Sequence, residues 1–285
     1  MTTVPQSWQS IWEDSIKHSS LNHGRNGLSE IERLNMIAEV SLRNNGDRLY
    51  HTDPKKKADL EAELNRLRRF INKGSSVLDI GAGYGRVAIP LSKEVEKMTV
   101  VEPAHPFMNR LMEDARQEDA SNIEFKESLW SDFQLQEKYD LVYSSWSPAV
   151  SDPAALMKMH EASRGYCALE LGATPQQKQE FFGQVYPFVT GDVFRPTGNY
   201  LNILTTLYEH GIYANLEIRE YESEIKHESM ERTLSSWKAL LEYYANTNGK
   251  TEALLREFYR SRMNSDGTYT IPPIKGASCM LWWKV

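Results

Sequence analysis

Cysteine is scarce in this chain: 285 residues hold two, Cys167 and Cys279. A disulfide framework needs more cysteines in a much shorter chain. Both lie in apolar, strand-like runs and read as reduced, buried thiols. No Cys/His spacing resembles a zinc site. Long apolar runs are missing as well. None approaches the ~20 residues of a membrane span, so no membrane partner is expected. Trp8, Trp12, Glu13 and Asp14 stand where a basic and apolar signal region would be, and the reading is a reducing, cytoplasmic compartment. Positive charge is in deficit, with 33 Lys and Arg against 39 Asp and Glu and a net charge of −6. A nucleic-acid binder shows a basic face or stripe. The densest basic cluster here, Lys55 to Lys57 followed by Arg66, Arg68 and Arg69, interleaves with Asp59, Glu61 and Glu63. It reads as a solvated helix face, and nucleic acid is not an expected partner.

The composition is otherwise that of an ordinary globular protein with enough apolar material for a sizeable core, 40% hydrophobic and 25% charged. Ile31, Leu34, Ile37, Ala38 and Leu42 mark one helical stripe. Asp53-Pro54 opens a further helix, with the aspartate as cap and the proline at its first position. Leu60, Leu64, Leu67 and Phe70 continue it at helical spacing, and Gly74 is expected to end it. The pattern then changes. Strands are expected over 76–80, 98–101, 123–125, 139–144 and 166–171, and helices over 87–95, 106–116 and 153–163. Strands alternating with helices at this spacing predict an α/β fold, a Rossmann-like doubly wound parallel sheet covered on both faces. Beyond it, helices are expected over 175–185, 200–210, 231–244 and 251–263, and strands over 214–221 and 277–285. Trp282 and Trp283 would point to opposite faces of the last strand. His105, His160, His210 and His227 read as surface or helix-end residues. The expected organisation is an N-terminal helical cap over 1–73 and a core over 74–285, with helical insertions near 173–196 and 229–265.

The chemistry concentrates at Val77-Leu78-Asp79-Ile80-Gly81-Ala82-Gly83-Tyr84-Gly85. A strand runs into a glycine loop and then a helix. Glycine lets the backbone turn tightly and approach a ligand, and the helix start offers free N–H groups. In such a sheet the ligand lies beyond the carboxyl ends of the strands. The dinucleotide pattern G-x-G-x-x-G fails, because Arg86 stands at the third glycine position. Asp79, two residues before the loop, would repel a pyrophosphate but suits a ligand carrying sulfonium and ammonium groups. Glu102 ends the second strand, where a carboxylate can accept bonds from both hydroxyls of a ribose.

With these residues the sequence resembles the class I methyltransferases that use S-adenosyl-L-methionine (SAM). Residues 77–85 resemble that family's first motif, Glu102 its ribose-binding acid, 122–130 the strand and loop that frame adenine, and 139–146 the fourth strand, whose end faces the methyl group. The last strand is consistent with the antiparallel strand of that fold. The resemblance implies SAM as cofactor, with Gly81, Ala82 and Gly83 contacting its amino-acid end and Asp79 lying close to that end. It implies Glu102 on the ribose, Pro103 and Ala104 beside the adenosine, Leu129 and Trp130 along the adenine, and Ser144 and Ser145 beneath the sulfonium. Many members carry Gly-Asp at the adenine loop. This chain has Ser128-Leu129, so Glu127 or Asp132 substitutes, or packing and backbone hold the adenine.

SAM is already activated, so alignment supplies much of the catalysis and no base is needed unless the acceptor must lose a proton. No catalytic residue is assigned. The Asn/Asp-Pro-Pro-aromatic pattern of enzymes that methylate base amino groups is absent from 144–148, and a small-molecule acceptor is expected. Tyr50, His51 and Trp146 are candidates to line its site, each equally explicable as a turn, surface or packing residue. Three alternatives stand: a SAM-binding module without turnover, an NAD-dependent oxidoreductase, and an aminopropyl transferase.

Overall fold

The computed structural model describes residues 7–23, 27–45, 53–227, 230–266 and 269–285. Tyr50 and His51 lie outside the described residues.

The helices before the sheet are α1 (Trp8–Lys17), α2 (Ser20–His23), α3 (Glu30–Asn45) and α4 (Pro54–Leu67). Asp53 caps α4 as its chemistry requires, its carboxylate accepting from the Lys55 and Lys56 amides at 2.8 and 3.3 Å. Leu60, Leu64 and Leu67 are buried along one face of α4, each contributing about 1.5–3 kcal/mol relative to exposure. The helix does not reach Gly74. It tightens into a 3-10 turn at Arg68–Phe70, and the Asn72 side chain then accepts from the Gly74 amide at 2.9 Å, a local bond that competes with helix continuation.

The sheet follows: β1 (Ser76–Ile80), α5 (Ala88–Ser92), β2 (Lys97–Val101), α6 (His105–Gln117), β3 (Ile123–Lys126), β4 (Tyr139–Ser145), α7 (Pro153–Glu161) and β5 (Ser163–Gly172). After β5 the chain forms α8 (Tyr186–Thr190), α9 (Tyr200–Glu209), β6 (Asn215–His227), α10 (Met230–Tyr244), α11 (Thr251–Arg260) and β7 (Tyr269–Lys284). The strand order is β3-β2-β1-β4-β5-β7-β6, and β1 to β5 pair in parallel. Val285 bonds Gly165 while Ala173 bonds Ala277, so β7 runs antiparallel to β5. Every residue of β1 is buried, as a central parallel strand demands. The chain reverses direction across the sheet between β1 and β4, and the crevice at their carboxyl ends is where such sheets bind ligands.

Two compact units divide the chain. One comprises Asn45–Leu171, Ile203–Glu217 and Met280–Val285. Its core joins Leu60, Leu64 and Leu67 of α4 to Val77, Met98, Val100, Leu141 and Tyr143 of the sheet. Trp282 packs on Phe70 and Tyr166, and the fully buried Trp283 donates its indole N–H to His160 at 3.1 Å. His160 is therefore no plain surface residue: burial, then the charge of Lys138, hold its ring below the ordinary histidine range.

The other unit comprises Met1–Asn44, Gly172–Asn202 and Ile218–Cys279. Its core is aromatic, with Phe181, Tyr186, Phe194, Trp237, Phe258 and Tyr259 buried together. The helix expected over 175–185 is broken up. A 3-10 turn at Gln176–Lys178 gives way to a π turn at Phe181–Val185, which leads into α8. A side chain at Gly183 would stand 2.1 Å from the Gln177 carbonyl oxygen, and that close approach replaces regular helix there. Cys167 and Cys279 are buried thiols that form no disulfide.

Candidate functional site

The loop from Gly81 to Gly85 leaves β1 and folds back on β2, the Gly81 and Ala82 amides donating to the Val101 carbonyl at 2.7 and 3.3 Å. Gly81 has φ +72° and Gly83 φ +57°, a region that side chains disfavour. The two glycines do different work. A β-carbon at Gly81 would stand 1.9 Å from the Ser147 Oγ, whereas one at Gly83 would meet nothing within 4 Å. Gly81 lets the loop after β4 pack close. Gly83 turns bare backbone toward open space, as a cradle for a ligand does.

Glu102 stands just past β2 and is buried. One carboxylate oxygen accepts from the Gly83 amide at 2.8 Å and the other from the Ala104 amide at 2.8 Å. Burial pushes its carboxyl up, and these two bonds oppose the rise. Each oxygen keeps a further lone pair, enough for two hydroxyl donors. Pro103 follows, half-buried, and Ala104 is buried.

Asp79 pairs in register with Val100 of β2 and Tyr143 of β4. It is 3% exposed, and its carboxylate accepts no hydrogen bond from the described residues. Burial pushes its carboxyl up to about 7; the Arg86 charge opposes the shift, and Glu63 and Glu102 add to it. The two acids singled out in the sequence thus occupy adjacent strand ends and feel one another's charge. A cation brought beside them would relieve both.

At the end of β4, Ser144 is buried and its hydroxyl donates to the Ile80 carbonyl at 2.8 Å. Ser145 donates to Glu63 at 2.7 Å and accepts from Arg86 at 3.1 Å. Trp146 has φ +52° and is 56% exposed. Such a backbone costs a bulky residue about 1–3 kcal/mol. Its amide donates to the Glu170 carbonyl at 2.8 Å, which pins the bend and leaves the indole turned outward.

The adenine-side candidates separate. Leu129 is half-buried, and its carbonyl accepts from the Asp132 and Phe133 amides. Trp130 is buried, and its indole donates to the Ala155 carbonyl at 3.1 Å. Lys158 lies 4.6 Å over its ring, so the Trp130 side chain is committed to α7. Glu127 lies 3.1 Å from the His105 ring, and the Asp132 carboxylate accepts from the Ser131 hydroxyl.

The basic cluster on α4 and the turn after it keeps Lys55, Lys57 and Arg69 exposed, as on a solvated face, but its arginines are paired. Arg66 pairs with Glu170, Arg68 with Glu61 and Glu94, and Arg69 with Glu217. Glu63 is buried and takes both ends of the Arg86 guanidinium, at 2.6 and 3.0 Å. Sequence reading missed this acid, though a signal was present: Glu63 falls on the Leu60-Leu64-Leu67 stripe, one turn from Leu60 and from Leu67, where a solvated charge does not belong.

Residues 77–165 match the family described as "Methyltransferase domain". No curated protein matches the chain. Among solved structures, the YcgJ protein of Bacillus subtilis is similar at 13% identity over 80% of this chain and 98% of that one, with a TM-score of 0.56. A SAM-dependent methyltransferase from Thiobacillus denitrificans, solved with S-adenosyl-L-homocysteine, is similar at 13% identity over 90% of this chain and 99% of that one, with a TM-score of 0.51. The chain has the fold of the class I SAM-dependent methyltransferases.

Proposed function

We propose that the protein binds S-adenosyl-L-methionine at the carboxyl ends of β1, β2 and β4 and transfers its methyl group to a small-molecule acceptor. The observation that carries this reading is the joining of Glu102 to Gly83: a buried acid, bonded to the loop amide, beside a glycine whose open side has room for a ligand. The residues fit the group. Gly81 to Gly83 would cradle its amino-acid end, Glu102 would hold the ribose, and Asp79 would offset its positive charge. When bound, SAM supplies a methyl on a positive sulfur, a good leaving group, so the protein's part is to align the acceptor and exclude water. Ser144 and Ser145 stand at the strand end beneath that position. Pro103 and Leu129 border the adenosine side. Trp146, exposed and held in a strained backbone, is the described candidate for contact with the acceptor.

A small acceptor is supported by charge. The net charge is negative, and the arginines of the densest basic cluster are each paired with a carboxylate. No helix among the described residues is long and apolar enough to cross a membrane.

Titration calorimetry with SAM and with NAD tests the reading. SAM should bind and NAD should not, because two buried acids repel a pyrophosphate. Glu102→Ala should weaken SAM about 10- to 100-fold, the range expected for lost bonds to a charged group. Unchanged affinity removes the ribose assignment, and NAD binding without SAM binding overturns the whole.

A further inference from the structure

Helix α4 precedes the segment that matches the methyltransferase domain, yet it carries two charges to the strand ends of the site. Glu63 and Arg66 lie one turn apart on it and face the same way. Arg66 closes on Glu170 at 2.8 Å, the register partner of Ser145. Glu63 takes the Arg86 guanidinium by two bonds, a geometry that fixes orientation as well as distance. It also accepts from the Ser145 hydroxyl and from the Tyr143 hydroxyl. One carboxylate therefore ties together the chain that leaves the glycine loop, the β4 residue beside Asp79, and the end of β4.

Among the described residues Arg86 is the cation whose charge acts on Asp79, and it does so without a hydrogen bond to that carboxylate. Its guanidinium is held by Glu63. We infer that Glu63 is a positioning residue of the candidate cofactor site: it fixes Arg86 and the end of β4 beneath the glycine loop, and it keeps Arg86 from neutralising Asp79, which stays available to a cationic ligand. This rests on the reading of the site as one for SAM.

The groups facing Asp79 are Glu63 on α4, Arg86 after the loop, Glu102 after β2 and Tyr143 on β4. Burial and the Glu63 and Glu102 charges hold the Asp79 carboxyl up, and Arg86 pulls it down. Loss of the Glu63 charge removes a repulsion and frees Arg86, and both changes let Asp79 ionise at lower pH. SAM affinity that depends on the ionised acid then rises at lower pH too.

The experiment is calorimetric titration of the full-length chain with SAM from about pH 5.5 to about pH 8.5, comparing wild type with Glu63→Gln. The amino group of SAM titrates in both proteins alike, so the difference between them is what is read. The midpoint of the pH dependence should fall by about half a unit or more in Glu63→Gln. Affinity lowered by one factor at every pH, with the midpoint unmoved, is the mark of a merely structural role and overturns the inference. Adding Glu63→Gln to Asp79→Asn should leave the pH profile of that single variant as it was, and a shift there also overturns it. Should Glu63→Gln fail to fold, Glu63→Asp keeps the charge and retracts it from Arg86. Arg86 is then freer to approach Asp79, so the midpoint should again fall, by less than in Glu63→Gln, and an unmoved midpoint overturns the inference. A wild-type protein that binds no SAM at any pH overturns the reading of the site itself, a result distinct from all of these.

Discussion

Among the described residues, the unit that carries the glycine loop buries four acids, Glu63, Asp79, Glu102 and Glu170, while in the other unit the buried charges are Arg33 and Glu180. In the second unit Arg33 donates to the Tyr243 carbonyl and lies over the Tyr243 ring at 5.1 Å, and the unit's core mixes large aromatic side chains with leucines, Val185 and Ala245. Aromatic packing stabilises a fold by burying large area at little polar cost. Buried acids do the reverse: each must be paired or hydrogen-bonded, or it costs several kcal/mol. Glu63 and Glu170 meet arginines, and Glu102 meets two backbone amides. Asp79 meets none of these, and it sits at the strand end where the ligand is proposed. A fold tolerates such a group where another molecule supplies the missing partner.

That contrast can be broken by substitution. The largest effect on stability should come from the aromatic unit. Phe258→Ala empties a buried site beside Trp237 and Phe188 and should cost about 3–5 kcal/mol in chemical denaturation. SAM affinity of the folded protein should change less than about threefold; a large loss of binding would erase the division of labour between the units.

Gly83→Arg should act in the opposite sense. It fills the open side of the loop and puts a side chain on a left-handed residue, and it should weaken SAM at least about a hundredfold, roughly 2.7 kcal/mol, by calorimetry. Retained binding would remove the cradle.

Asp79→Asn sharpens the comparison through pH. Burial pushes the folded carboxyl up to about 7 from an ordinary aspartate value of about 3.9, so the folded state holds the proton more tightly than the unfolded chain between those values. Stability attributable to this group is therefore greatest below the unfolded value and falls as pH rises toward 7. The variant should be more stable than wild type by on the order of 1–3 kcal/mol at pH 8 and nearly equal to it below about pH 4. A difference independent of pH would deny that Asp79 is buried and unpaired. The smallest effect belongs to the surface: Arg256 pairs with Glu231 and Glu252, and Arg256→Ala should leave the chemical denaturation midpoint nearly unchanged.

Legibility in the sequence differs between the same two regions. Short apolar runs between turn residues, alternating with helically spaced segments and caps, located β1 to β5 and the helices between them, because buried parallel strands and their covering helices are each written in contiguous residues. The glycine loop, Asp79 and Glu102 were legible for the same reason: strand, loop and helix start are neighbours in the chain. Residues 175–185 were not, since the close approach of Gly183 to Gln177 breaks a segment whose spacing favours a helix. Trp130 showed only that it was large and apolar, and Ala155 and Lys158 on α7 decided which way it faces. Glu63 passed as one acid among solvated charges because its partners, Arg86, Tyr143 and Ser145, are distant in sequence.

By itself the sequence determined the alternating α/β pattern, the bare loop and the two acids that bracket it, all properties of contiguous residues. Tertiary structure alone decided that a third acid joins Arg86 to the end of β4, that Arg66, Arg68 and Arg69 are paired with carboxylates, and that Trp146 is held outward at the end of β4. The reason is physical: the cost of burying a charge depends on which groups the fold brings to it, and a linear pattern does not carry that information.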